Sequence, residues 1–132
     1  MTLETGKPIS ESLAEVNGSA DIFEWNAEET KRIYGQIVES RFENTRMYVK
    51  YDPVGVVAGL IPWNFPIVLA SRKISTALAA GCSVICKPDV ITPGSVMELM
   101  NIIMMPVFLR VLLTFYQEIP NKYQTNLFLL AL

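Results

Sequence analysis

No histidine occurs anywhere in the 132 residues, and cysteine occurs only twice, at Cys82 and Cys86. Without histidine there is no imidazole to act as general base, to activate a thiol, or to complete an ordinary zinc set. Two cysteines this close together cannot frame a disulfide scaffold, so neither a metal site nor a disulfide-stapled fold is expected. Basic residues are few as well. Eleven Lys and Arg stand against 13 Asp and Glu, the formal net charge is -2, and the charges are dispersed along the chain. A basic stripe is therefore lacking, and nucleic acid is not an expected partner. No apolar run reaches the ~20 residues that a membrane-spanning helix needs, and the stretch at 102–113 is interrupted by Pro106 and Arg110. Residues 1–7 contain Glu4 and Lys7 but neither an apolar core segment nor an Arg-rich amphipathic run. The expected location is cytoplasmic, or mitochondrial should an N-terminal segment precede Met1.

What is abundant is apolar surface. A hydrophobic content of 51% is enough to build a core at this length. Leu13, Val16, Ala20, Phe23 and Ala27 recur at three- and four-residue intervals and predict a helix from about residue 10 to about 34. Ser10 or Ser12 would cap it, with Ser12 and Glu15 at capping-box spacing, and Gly18 is a candidate break. Glu28 and Arg32 suit an exposed intrahelical ion pair rather than a pair of acid/base groups. Arg46–Tyr51 reads as a strand. After the Asp52-Pro53 punctuation, Val54–Ile61 is apolar on both alternating faces, which predicts a parallel sheet covered on two sides. Pro66 at the start and Gly81 at the end bracket a helix, Ser83–Cys86 is a second strand, and Pro93–Asn101 is another helix. This strand-helix-strand-helix order predicts an α/β fold with a doubly wound parallel sheet. From Ile102 the character changes to an apolar tract without a clean period. The chain is accordingly divided into residues 1–101 and a tail at 102–132.

Several side chains stand where chemistry could be done. Asn64 precedes the helix opening near Pro66, and by local pattern it is a helix cap. Lys87 ends a strand, on the edge where open α/β sheets take up ligands. Gly55 and Gly59 do not form the glycine fingerprint of dinucleotide-binding turns. Cys82 and Cys86 lie on one face of a buried strand with nothing to activate them, so they read as small core hydrophobes rather than nucleophiles.

Three motifs in order, Pro62-Trp63-Asn64-Phe65-Pro66, Ala77-Leu78-Ala79-Ala80-Gly81-Cys82 and Lys87-Pro88, are jointly specific. Together they resemble the start of the nucleotide-binding domain of aldehyde dehydrogenases. The stretches Glu4-Thr5-Gly6-Lys7-Pro8 and Phe23 to Gly35 look most like the succinate-semialdehyde branch. The resemblance covers roughly residues 3–101. It implies NAD or NADP as cofactor, an aldehyde as substrate, and Asn64 as the amide donor to the oxyanion. It also implies Ile61, Pro62 and Trp63 on the nicotinamide side, and Lys87 on the adenosine ribose. Lys73 matches a lysine linked to water-mediated proton transfer, and reads equally well as a solvated helix residue. Val90 stands where the family usually has a glutamate or serine against the ribose or its phosphate, which leaves NAD and NADP both open. Thr76 replaces a common proline. The family's nucleophilic cysteine and base glutamate belong to later motifs that do not occur in this sequence, so the chain by itself is expected to be inactive. A strand of the family's oligomer contacts falls near Arg46–Tyr51, and the alternative expectation is a catalytically dead product that binds full-length subunits.

Overall fold

The computed structural model describes residues 1–104 and 113–115. A single-turn helix α1 (Thr2–Thr5) leads into the long helix α2 (Ile9–Glu29), which closes in a 3-10 turn at Thr30–Arg32. Strands β1 (Gln36–Glu39) and β2 (Arg46–Val49) follow, then β3 (Val56–Ile61), α3 (Pro66–Ala79), β4 (Ser83–Pro88), α4 (Pro93–Met104) and β5 (Leu113–Phe115). Strands β3, β4 and β5 lie side by side in that order, and both neighbouring pairs are parallel. Helices α3 and α4 are the crossovers between them. Ala70, Ile74 and Ala77 of α3 share one core cluster with Val96 and Met100 of α4 and with Ile61, Cys82, Val84 and Cys86. Both helices therefore cover the same face of the sheet, as consistently handed crossovers require when each strand is laid beyond the last. This is the parallel α/β architecture that the pattern of elements predicts.

The expected elements are bounded by their turn chemistry. Pro66 occupies the first turn of α3, where its missing N–H costs nothing. Gly81 follows the helix with φ +77°, a left-handed conformation suited to glycine, and donates its N–H to the Leu78 carbonyl at 2.9 Å. A Cβ at this position would also stand 3.0 Å from Pro53. The boundary expected at 101/102 falls inside α4, and β5 joins the sheet from beyond it. The rest of the expected tail lies outside the described residues.

Helix α2 departs from expectation in three ways. It passes through Gly18 without a break, and its N-cap residue, Pro8, makes no side-chain cap bond. Ser12 instead shares a hydrogen bond of 3.0 Å with the Thr2 hydroxyl. Second, the apolar stripe is mostly exposed, and among its five residues Phe23 packs against the core. Leu13, Val16, Ala20 and Ala27 are exposed, whereas Glu15 and Ser19 are buried. The contact with α3 runs through polar groups, with Asn26 Nδ2 donating to Ser75 Oγ at 2.9 Å and Ser75 Oγ donating to the Ser71 carbonyl at 2.6 Å. Third, the surface ion pairs join Glu28 to Lys31 and Glu29 to Arg32, one residue closer than the Glu28–Arg32 pair expected. The tighter 3-10 turn that ends the helix brings residues three apart onto one line.

The sheet is not covered on both faces by the described residues. Along β3 the alternation is strict: Gly59 and Ile61 are buried while Val56 and Leu60 are 65% and 63% exposed. Ile85 of β4 continues the bare face. Strands β1 and β2 form a separate antiparallel ribbon, pairing Gln36 with Val49 and Glu39 with Arg46, and every residue of both strands is exposed. The strand expected at Arg46–Tyr51 is β2. Its partner β1 had no expectation attached.

Helix α4 is held from outside by the N-terminal segment. The Glu4 carboxylate accepts the Gly94 and Ser95 amides at 2.7 and 3.2 Å and the Ser95 hydroxyl, and the amino group of Met1 lies 3.0 Å away. Burial pushes this carboxyl up. The Ser95 hydroxyl and amide and the charged amino terminus outweigh that effect and hold it below its ordinary 4.5. A carboxyl depressed in the folded state stabilises the fold above its unfolded value and loses that effect as the pH falls through the folded value. Unfolding followed by circular dichroism should therefore show stability falling below pH 4.5. Glu4→Gln should flatten that part of the profile, and an unchanged acid limb would contradict the cap.

Candidate functional site

The carboxyl ends of β3 and β4 lie together on one sheet edge, since register pairs Leu60 with Lys87 and Ile61 with Pro88. From that edge the chain runs through Pro62, Trp63, Asn64 and Phe65, all exposed, into α3. Ile61 itself is buried in the core, so only its backbone faces the edge. Lys87 is partly buried at the end of β4. The edge thus carries an exposed indole, a proline, an exposed amide and a cation, drawn from two neighbouring strands.

Asn64 is not the cap of α3. The N-cap position belongs to Phe65 and no side chain of the loop bonds the first turn. The job is done across the structure by Glu15, whose Oε1 accepts the Ile67 and Val68 amides at 2.9 and 3.3 Å. A full negative charge suits the positive end of the helix dipole better than a neutral amide, and the carboxylate has excluded Asn64 from that role. Among the described residues no hydrogen bond engages the Asn64 side chain. Its backbone carbonyl accepts Lys7 Nζ at 3.0 Å.

Lys73, about two turns into α3, donates from Nζ to the Leu60 carbonyl. It thereby ties the helix to the end of β3 beside the loop. Cys86 is completely buried; burial pushes its thiol up to about 12, and the nearby charge of Lys73 lowers it only in part. At neutral pH it is a protonated thiol without access to solvent. Cys82 is buried as well. Both fit the expected role of core hydrophobes, and no group of acidic, cysteine or histidine residues able to hold a metal occurs among the described residues. No helix of the described residues is long and apolar enough to cross a membrane.

Against Asn64 opens a cleft of about 510 Å³, lined by Glu11, Glu15, Phe65, Val68, Leu69 and Arg72, with mostly apolar walls. The sequence reading does not single out Arg72, and it takes Glu15 only as a capping-box partner of Ser12. Arg72 follows Leu69 and Val68 at helical spacing on α3 and brings a cation to the cleft that Asn64 also borders. The signal for it is present: Phe65 of the motif, Val68 and Leu69, and Arg72 recur at three- and four-residue intervals.

Known proteins share both this sequence and this geometry. The chain is 46% identical over 101 residues to the 4-(hydroxymethyl)benzenesulfonate dehydrogenase TsaD1 of Comamonas testosteroni, covering 76% of this chain and 21% of that protein. It is 50% identical over 93 residues to the mitochondrial succinate-semialdehyde dehydrogenase of Oryza sativa subsp. japonica, covering 70% and 18%. It thus spans about a fifth of the length of these curated relatives. In three dimensions it is similar to a crystal structure of aldehyde dehydrogenase from Brucella melitensis biovar abortus 2308, with a TM-score of 0.79, 37% identity, and coverage of 89% of this chain and 24% of that one. The aldehyde dehydrogenase family profile matches residues 1–107, so the parallel sheet edge, its Trp-Asn-Phe-Pro loop and the helix behind it are those of an aldehyde dehydrogenase, and to that family the chain belongs.

Proposed function

We infer that this chain supplies the oxyanion donor, one flank of the cofactor site and part of the substrate cleft of an NAD(P)-dependent aldehyde dehydrogenase that converts an aldehyde to the carboxylic acid. The observation that carries the reading is the release of Asn64 from helix capping: Glu15 serves the amides of α3, and the exposed Asn64 is left on the ligand-binding edge. A side-chain amide there can donate to an aldehyde oxygen as attack on the carbonyl makes it negative. The attacking thiolate and the base are assigned to other parts of a complete enzyme, because Cys82 and Cys86 are buried and one of them is firmly protonated.

Nicotinamide, when bound, accepts the hydride of the substrate carbon. The residues on the edge suit two portions of such a cofactor. Trp63 and Pro62 offer flat apolar surface to the nicotinamide side, the Ile61 backbone closes the strand end beneath them, and Lys87 offers an ammonium to ribose hydroxyls. They do not suit its pyrophosphate: helix N-termini are the usual anion seats, and both here are taken by carboxylates, Glu15 at α3 and Glu4 at α4. Lys73, anchored on the Leu60 carbonyl beside the loop, is the candidate to pass protons through water. With Val90 exposed after Lys87, neither NAD nor NADP is favoured.

The substrate is proposed to carry a second, anionic group. Among the relatives' names, hydroxymethylbenzenesulfonate and succinate semialdehyde both bring one, a sulfonate and a carboxylate. Arg72 is the cation of the Asn64 cleft, and a charge-assisted hydrogen bond of about 1.5–3 kcal/mol corresponds to a roughly tenfold to hundredfold change in affinity. In the complete enzyme, Arg72→Leu should raise KM for succinate semialdehyde by that factor while leaving KM for butanal nearly unchanged. An equal rise for both aldehydes would remove Arg72 from substrate selection.

A second reading rests on exposed surface. Among the described residues the ribbon β1–β2 has no cover on either face, and Ile37, Tyr48 and Tyr51 are exposed on or beside it. This favours self-association or binding to full-length subunits, in a cytoplasmic setting. The test joins both readings. The purified chain is assayed for aldehyde-dependent NAD(P)H, then placed in the rice succinate-semialdehyde dehydrogenase in exchange for its matched segment. Inactivity of the chain alone and activity of the exchange enzyme within tenfold of its parent are the expected results. An inactive but folded and assembled exchange enzyme would overturn the functional assignment.

A further inference from the structure

Among the described residues, the loop that presents Asn64 is not fastened by side chains of its own. Four consecutive residues, Pro62–Phe65, are exposed, and no loop side chain caps the helix that follows. The fastening comes from a single ion pair far back in the sequence. Lys7 Nζ lies 2.5 Å from Glu15 Oε2, and the two side chains are only 12% and 1% exposed. From this pair, contacts reach four positions of one short stretch. Glu15 holds the Ile67 and Val68 amides. Lys7 donates to the Asn64 carbonyl at 3.0 Å and stands 3.9 Å above the centre of the Phe65 ring.

We propose that Lys7 and Glu15 are positioning residues for Asn64, a buried clamp through which the N-terminal segment sets the oxyanion donor against the sheet edge. The proposal rests on the assignment of Asn64 as that donor. Each member has a separable duty. Glu15 fixes the start of α3 by accepting its first two available amides, and Lys7 fixes the loop by its carbonyl and ring contacts. Neither is assigned a contact with the substrate oxygen: the atoms that Lys7 touches in the loop are a backbone carbonyl and a ring, and Glu15, although it lines the cleft, has both carboxylate oxygens engaged by Lys7 and the α3 amides. They act on where the Asn64 amide stands. A buried pair suits this duty, because a charge left behind by loss of its partner forces rearrangement rather than a small relaxation. Donor placement matters at the ångström scale, and a misplacement of about 1 Å can cost on the order of a hundredfold in rate.

The test uses the full chain, labelled with 15N, and the exchange enzyme described above. In the chain, Glu15→Gln should speed hydrogen exchange of the Ile67 and Val68 amides at least tenfold. Lys7→Met, which keeps an apolar stem, should leave those two amides protected and shift the resonances of Asn64 and Phe65, with Lys7→Arg restoring them. In the exchange enzyme, Lys7→Met should lower kcat at least tenfold with KM within about twofold, again with recovery in Lys7→Arg. A merely structural role would lower thermal stability without that split between kcat and KM and without rescue. Unchanged exchange at Ile67 and Val68 in Glu15→Gln, or unmoved Asn64 resonances in Lys7→Met, would overturn the clamp. Should Asn64→Ala leave kcat intact while these spectral changes still occur, the oxyanion assignment fails and the clamp stands as a structural device.

Discussion

Asn64→Ala in the complete dehydrogenase is expected to lower kcat by about a hundredfold or more, the usual cost of deleting one oxyanion donor. KM for the aldehyde should change by only a few-fold, because the neutral carbonyl oxygen of the ground state gains much less from the donor than the oxyanion does. Asn64→Asp should do at least as badly: it keeps the shape but replaces a donor with a negative charge facing a developing negative charge. The same substitution separates the two roles that the residue could have had. Loss of a helix cap typically costs about 1 kcal/mol of stability. In this chain Glu15 does the capping, so Asn64→Ala should leave the unfolding free energy within about 0.5 kcal/mol, as for an ordinary surface position. A large stability loss with intact kcat would reverse the assignment.

The contrast between Asn64 and Glu15 shows what sequence could and could not disclose. The parallel unit was legible because its boundaries are local: Pro66 and Pro93 open helices, Gly81 closes one, and the apolar run after Asp52-Pro53 has the length of a strand. The motif identified the edge for the same reason. What failed was nonlocal. Periodicity places Leu13, Val16 and their companions on one face of α2, and of that apolar stripe it is Phe23 that packs against the core, yet the face turned to α3 carries Glu15, Ser19 and Asn26. These three also recur at helical spacing, four and seven residues apart, so the polar stripe was visible. Its choice over the apolar one is fixed by the needs of α3, whose first amides require an acceptor and whose Ser71 and Ser75 allow a polar contact. Neither need can be seen from α2 alone. Strand β1 carries no signal of its own because its partner among the described residues is β2 across a loop, and a short ribbon without a buried face leaves little periodic signal. The two-sided apolar pattern of β3 was read correctly as a pattern. Only one of its faces meets a helix among the described residues.

That difference between faces leads to the second large effect. Ile74→Ala should destabilise the chain by about 2–5 kcal/mol, the range for truncating a fully buried aliphatic side chain. Ile74 is completely buried on α3, within the cluster that joins both crossover helices to β3 and β4. Its removal would leave a cavity among Ala70, Val84, Cys86, Val96 and Met100, and small neighbours such as Ala70 have little side chain with which to fill it. Leu60→Ala removes a branched aliphatic side chain of the same size from the bare face, where Leu60 is 63% exposed, and should change stability by less than about 0.5 kcal/mol. Denaturant titration measures both, with the midpoint shifted for Ile74→Ala at an unchanged slope. The domain stability available to absorb such a loss is on the order of 5–15 kcal/mol in ordinary proteins, and a sheet with one bare face has less apolar burial to draw on. Ile74→Ala should therefore bring the chain close to unfolding at 37 °C, whereas Leu60→Ala should improve its solubility by reducing an exposed apolar patch. Equal destabilisation by the two substitutions would mean that the face bearing Leu60 is covered in solution, most directly by association of copies through the sheet.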